Sequence, residues 1–121
     1  MGTAALYIVG AKPARQLKSI EKSWEGLWFG DGRKWCSSYS PYEKWYDDLL
    51  QAFPNKQFRC LRKKLKTDYL PYYLLWDNNV YYCGDYDDDE GETYEDGQNK
   101  MRNILNSIPE DMLITAMIVK D

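Results

Sequence analysis

Between Asp77 and Asn99 the chain carries nine carboxylates and no basic side chain: Asp77, Asp85, Asp87, Asp88, Asp89, Glu90, Glu92, Glu95 and Asp96. A run of one sign this dense repels itself, and something must offset the cost. Solvent and salt do so if the charges sit on a solvated loop, farther apart than the ~8 Å over which they sense one another. A cationic partner does so too. It is steered in by the field and anchored by aromatic rings set among the acids, here Tyr86 and Tyr94. A metal is the third solution, because Asp85, Asp87 and Asp89 alternate as in a calcium loop and Asp96 falls at the twelfth position. That pattern is imperfect. Glu90 stands where the loop needs glycine, Gly91 comes one place late, and a hairpin rather than a helix precedes it. No metal ligand or cofactor is therefore assigned, and a calcium-stabilised domain is kept only as an alternative. The expected partner-binding set is Asp85, Tyr86, Asp87, Asp88, Asp89, Glu90, Glu92, Tyr94, Glu95 and Asp96. Trp35, in a Gly/Ser-rich stretch, is a further aromatic anchor.

Immediately upstream the sign reverses. Residues 54–76 hold six basic side chains, Lys56, Arg59, Arg62, Lys63, Lys64 and Lys66, against the single acid Asp68. With Tyr69, Tyr72 and Tyr73 alongside, the stretch 59–73 suits a phosphate backbone with stacked bases, so a nucleic-acid-binding module is the alternative reading. Against it stand the net charge of −3 and the isoelectric point of about 5.0, since nucleic-acid binders usually carry a basic face. The plainer account is a solvated basic surface that compensates the acidic loop within the same molecule.

Other chemistry is largely excluded. The chain has no histidine, which removes Ser-His-Asp and Cys-His nucleophile systems, the usual catalytic zinc sites and an imidazole switch near neutral pH. Its three cysteines, Cys36, Cys60 and Cys83, are odd in number and widely spaced. They make neither a disulfide framework nor a CxxC pair, which fits a reducing, cytosolic setting. Lys34 near Cys36 favours a thiolate, yet nothing supplies an activating base. Asp47 and Asp48 are helix neighbours on different faces, and Gly30-Asp31-Gly32 lacks the spacing of a phosphate loop. No enzyme is expected.

The elements that must position these groups are legible in outline. The 121 residues make one domain, 1–121. It is large enough for its own core, with 44% apolar residues and five Trp and eleven Tyr among the aromatics. Ala4 to Val9 reads as a buried strand ended by Gly10. Helix one is expected over 13–28, with Leu17, Ile20, Trp24, Leu27 and Trp28 on one face. Ser40-Pro41-Tyr42-Glu43 is a helix start. Its stripe runs through Trp45, Leu49 and Leu50 to Phe53, and Pro54 stops it. Residues 56–66 have helical spacing at Phe58, Leu61 and Leu65 and no β-branched residue, which favours a short helix. The runs 72–76 and 80–83 flank Asp77-Asn78-Asn79 as a β-hairpin. A last helix over 98–107 is stopped by Pro109, and Met112 to Val119 reads as a central strand buried on both faces.

The expected fold is α+β: one small mixed sheet of N-terminal strand, central hairpin and C-terminal strand, packed with three or four helices. No apolar run is long enough to span a membrane. The expected function is non-enzymatic. It is an inhibitor or immunity-type protein, such as a toxin antidote or a phage-encoded blocker of a defence complex, acting in the bacterial or host cytoplasm. Its acidic segment docks the basic surface of a nuclease or other nucleic-acid-binding protein. The layout echoes small intracellular nuclease inhibitors in architecture and charge without a shared motif, and no residue is assigned from that likeness.

Overall fold

The computed structural model describes residues 3–23, 34–38, 49–82 and 94–120. Its centre is a pair of strands from opposite ends of the chain. Strand β1 (Thr3–Val9) runs antiparallel to the last strand, β6 (Leu113–Lys120), in unbroken register from Thr3↔Lys120 to Val9↔Ile114. Helix α1 (Pro13–Ser23) follows β1, and β2 (Lys34–Trp35) and β3 (Arg59–Leu61) lie farther on. The hairpin is β4 (Tyr73–Trp76) with β5 (Asn79–Tyr82), and helix α2 (Tyr94–Ser107) leads into β6. The strand order is β2-β6-β1-β4-β5, with β3 also paired to β6. The β1–β4 pair is parallel and the other pairs are antiparallel. The sheet is thus mixed and the architecture α+β.

β6 is what an apolar run buried on both faces should be: Ile114 to Val119 are all buried, and Thr115 is the one polar residue among them. Side chains alternate across a strand, so the sheet divides two cores. On one face Leu6, Ile8, Leu75, Met117 and Val119 meet Leu17 and Ile20 of α1. On the other, Tyr7, Val9, Leu74, Ile114 and Ala116 meet Met101, Leu105 and Ile108 around α2, with Leu49, Ala52 and Phe53. Two edge-to-face ring pairs sit in this second core, Tyr7–Phe53 at 5.3 Å and Phe53–Phe58 at 6.0 Å. Each such pair adds about 0.5–1.5 kcal/mol beyond area burial.

The hairpin forms as the sequence indicates. Asp77 and Asn78 are its two loop residues, with φ of 53° and 60°. Two left-handed residues in a two-residue loop make the type I′ geometry, whose twist matches the flanking strands.

Residues 56–66 depart from the expected short helix. Residues 59–61 are strand β3, paired Arg59↔Thr115, Cys60↔Ile114 and Leu61↔Leu113, and only Arg62–Lys64 make a single 3₁₀ turn. Local propensity loses to a vacancy in the sheet. β1 occupies one edge of β6, and the other edge offers unpaired backbone groups whose burial without partners is costly. Phe58 turns the chain onto that edge with φ of 54°, a conformation that costs a non-glycine residue about 1–2 kcal/mol. Its ring is fully buried and its carbonyl accepts the Ala116 N–H at 2.9 Å, which offsets the strain.

Helix α2 begins at Tyr94, four residues before the expected start, so that Glu95 and Asp96 belong to its first turn rather than to a lead-in. Carboxylates there complement the positive end of the helix dipole. Helix one is described to Ser23, and of the helix expected to end at Phe53 residues 49–53 are described, helical over 49–52. Among the described residues no helix is long and apolar enough to cross a membrane.

Candidate functional site

Of the acidic set, the structure describes Tyr94, Glu95 and Asp96, at the start of α2. Glu95 and Asp96 are exposed in its first turn, and Tyr94 is its first residue. Asp85, Tyr86, Asp87, Asp88, Asp89, Glu90 and Glu92 lie outside the described residues, together with the calcium-like alternation among them. β5 leads straight into this segment and ends at Tyr82, which is 69% exposed. Sequence reading passed over Tyr82, although the two-residue period gives it away. Tyr81 packs into the α2-side core, so its neighbour must face the other way.

The basic run sits elsewhere. Arg62 Nε donates to the Leu105 carbonyl at 2.7 Å and Nη2 to Asn106 Oδ1 at 3.0 Å, closing the last turn of α2. A cation there meets the negative end of the helix dipole and satisfies a carbonyl with no intrahelical donor. The 14 residues of α2 make a rod of about 21 Å. Arg62 and the Glu95–Asp96 pair are therefore separated by more than the ~8 Å range of exposed charges. Part of the charge segregation seen in the sequence is thus the two ends of one helix being matched. Arg59 reaches another part of the molecule, donating from Nη2 to the Ala11 carbonyl at 3.4 Å. Tyr69 and Tyr72 pack against the α2-side core, and the Tyr69 hydroxyl donates to Gln51 Oε1.

Trp35 lies on the opposite face of the sheet from α2, whose first turn holds Glu95 and Asp96. It lies in β2, half-buried against the α1-side core with Leu6, Ile8 and Met117. β2 and β5 are at opposite edges of the strand order, four steps of about 4.8 Å apart. α2 packs on the other face. Trp35 instead walls a cleft of about 200 Å³ on the α1 face, together with Pro13, Ser37, Gln57, Arg59, Thr115 and Ala116. The cleft lies where β2 and β3 meet the same edge of β6 without meeting each other.

Thr115, 7% exposed, contributes a buried hydroxyl with no hydrogen-bond partner. Leaving such a group unpaired costs about 1–3 kcal/mol. The sequence carried a faint mark of it, a lone hydroxyl in the run Met112 to Val119. Nothing there linked it to Trp35 or Arg59, which only strand pairing brings near. Among the described residues the other unpartnered buried atom is Gln16 Oε1, beside Gly10, whose φ of 138° leaves no place for a side chain. Gln16 Nε2 donates to the Val9 carbonyl and so ties the start of α1 to the end of β1.

Both described cysteines are buried and free. Burial pushes the Cys36 thiol up to about 12 and the Cys60 thiol up to about 11. The lowered value that Lys34 suggested for Cys36 is overturned, because desolvation of the thiolate outweighs a lysine two residues away. Neither is a nucleophile at neutral pH. Among the described residues no cluster of three or more Cys, Asp or Glu is placed to hold a metal ion. Comparison with known protein-family models, curated proteins and solved structures finds no match for this chain.

Proposed function

We propose that this chain is a non-enzymatic binding protein of the inhibitor or immunity type. It works in a cytoplasm and docks the basic surface of a nuclease or another nucleic-acid-binding protein. The observation that carries the reading is the placement of Glu95 and Asp96. They are exposed at the positive end of α2, directly after the acids 85–92, and the far end of the helix holds Arg62. Arg62 is thus spent on capping the far end of the helix, and the exposed acids of the first turn continue the run of negative charge in the sequence. Such a field raises association rates by factors of ten or more and weakens steeply with salt. Tyr86 and Tyr94 supply apolar contact within the segment, and Tyr82 extends it onto the edge strand.

The test uses four substitutions together, Asp85→Asn, Asp87→Asn, Asp88→Asn and Asp89→Asn. The partner is captured with the wild-type chain, and association is then timed at low and high salt. The variant is expected to keep its melting temperature and to associate about tenfold or more slowly at low salt, with the difference shrinking as salt rises. Equal rates at low salt would falsify the reading.

A further inference from the structure

We propose that the cleft between β2 and β3 binds a small oxyanion, the carboxylate or phosphate group of a small molecule. Four features of the cleft converge on that chemistry.

The first is its charge. Arg59 stands at the cleft, and its bond to the Ala11 carbonyl holds the guanidinium over the start of α1. An arginine offers five N–H donors in a planar fork suited to a carboxylate or phosphate, and one long bond leaves most of them available. Among the described residues no acid lines the cleft, and none occupies the first turn of α1.

The second is the helix end. Gln16 N–H makes the first helical bond, to the Lys12 carbonyl. Pro13 has no N–H, so Ala14 and Arg15 present theirs at the positive end of the 11-residue helix, beside Pro13 in the cleft wall.

The third is Thr115. A hydroxyl buried to this degree normally has a partner. Valine has nearly the same shape and would fill the same place in an otherwise apolar strand without the penalty. The side chain lines the cleft, and a turn about χ1 exchanges its methyl and hydroxyl positions. A bound oxyanion is an acceptor of the kind this donor lacks.

The fourth is size and wall chemistry. At about 200 Å³ the cleft is smaller than the roughly 300–1,000 Å³ of sites for drug-sized molecules. Trp35 gives it one flat apolar wall, and Ser37 and Gln57 add polar groups at its sides.

The proposal is independent of the acidic residues Glu95 and Asp96, which sit on α2, a helix packed on the other face of the sheet. The experiment is a titration of the full chain with inorganic phosphate, and separately with benzoate, followed by amide and side-chain NMR shifts and by thermal melting. Sodium chloride at matched ionic strength is the control. Saturable shifts are expected at Ala14, Arg15, the Arg59 Nε–H and the Trp35 indole, with a raised melting temperature. Arg59→Gln should abolish saturation, and Arg59→Lys, which keeps the charge but not the fork, should weaken it several-fold. Thr115→Val should melt at or above the wild-type temperature and bind about tenfold more weakly. The fourfold Asp→Asn variant should bind the anions as the wild type does. Shifts that chloride reproduces, absence of saturation, or unchanged affinity in Thr115→Val would each overturn the site.

Discussion

The two faces of the sheet are built to different specifications. The α2 face is sealed. It holds the ring pairs Tyr7–Phe53 and Phe53–Phe58, both described cysteines and the buried residues of α2, and among the described residues it leaves no buried side-chain polar atom unpaired, as when Arg62 closes the helix end. The α1 face differs in its polar groups. It carries the cleft, the orphan Thr115 hydroxyl and the exposed Tyr82. Interior packing density makes a sealed face intolerant of change, whereas binding needs groups whose partners are not yet present. The contrast separates a packed interior on one side of the sheet from a surface with unmet polar groups on the other.

That division is exposed to attack on the sealed side first. Phe58→Ala should cost about 3–5 kcal/mol in urea unfolding, because it removes a fully buried ring at the turn that delivers β3 to the sheet. A loss under 1 kcal/mol would mean that β3 is not held as described. The buried thiols come next. Their folded-state values, about 12 and about 11, lie above the ordinary 9.0, so the unfolded chain ionises first. Their contribution is full below pH ~9 and drains away as pH rises towards the folded values. The urea midpoint should therefore fall between pH 8 and pH 10, and by less when both are replaced by alanine. In a Cys83→Ser background, native protein at neutral pH should leave a thiol reagent unconsumed until it is unfolded. The smallest effect belongs to the open side. Tyr82→Ser should shift stability by no more than about 0.5 kcal/mol. A drop comparable to that of Phe58→Ala would erase the distinction between the faces.

The elements that declare themselves in the sequence are those whose partners are local or whose burial is total. Met112 to Val119 is apolar enough to be read as a central strand, and Asp77-Asn78 carries the residue types that tolerate positive φ. β3 hides because its strand character is borrowed. Arg59, Cys60 and Leu61 have no β preference of their own, and it is the spare edge of β6 that extends them. The start of α2 hides because Glu95 and Asp96 look like loop acids until a helix dipole is known to begin there. The acidic set was legible as composition, while the cleft was not legible at all. Trp35, Arg59 and Thr115 are unremarkable alone, and they become neighbours only through their registers on β6.

The pairing Thr3↔Lys120 has a consequence for how the chain comes to life. The strand synthesised first waits for one synthesised more than a hundred residues later, on the order of ten seconds at ordinary elongation rates. During that interval its backbone edge is unclaimed, and a ribosome stalled before Leu113 would hold a polypeptide unable to assemble the middle of its own sheet.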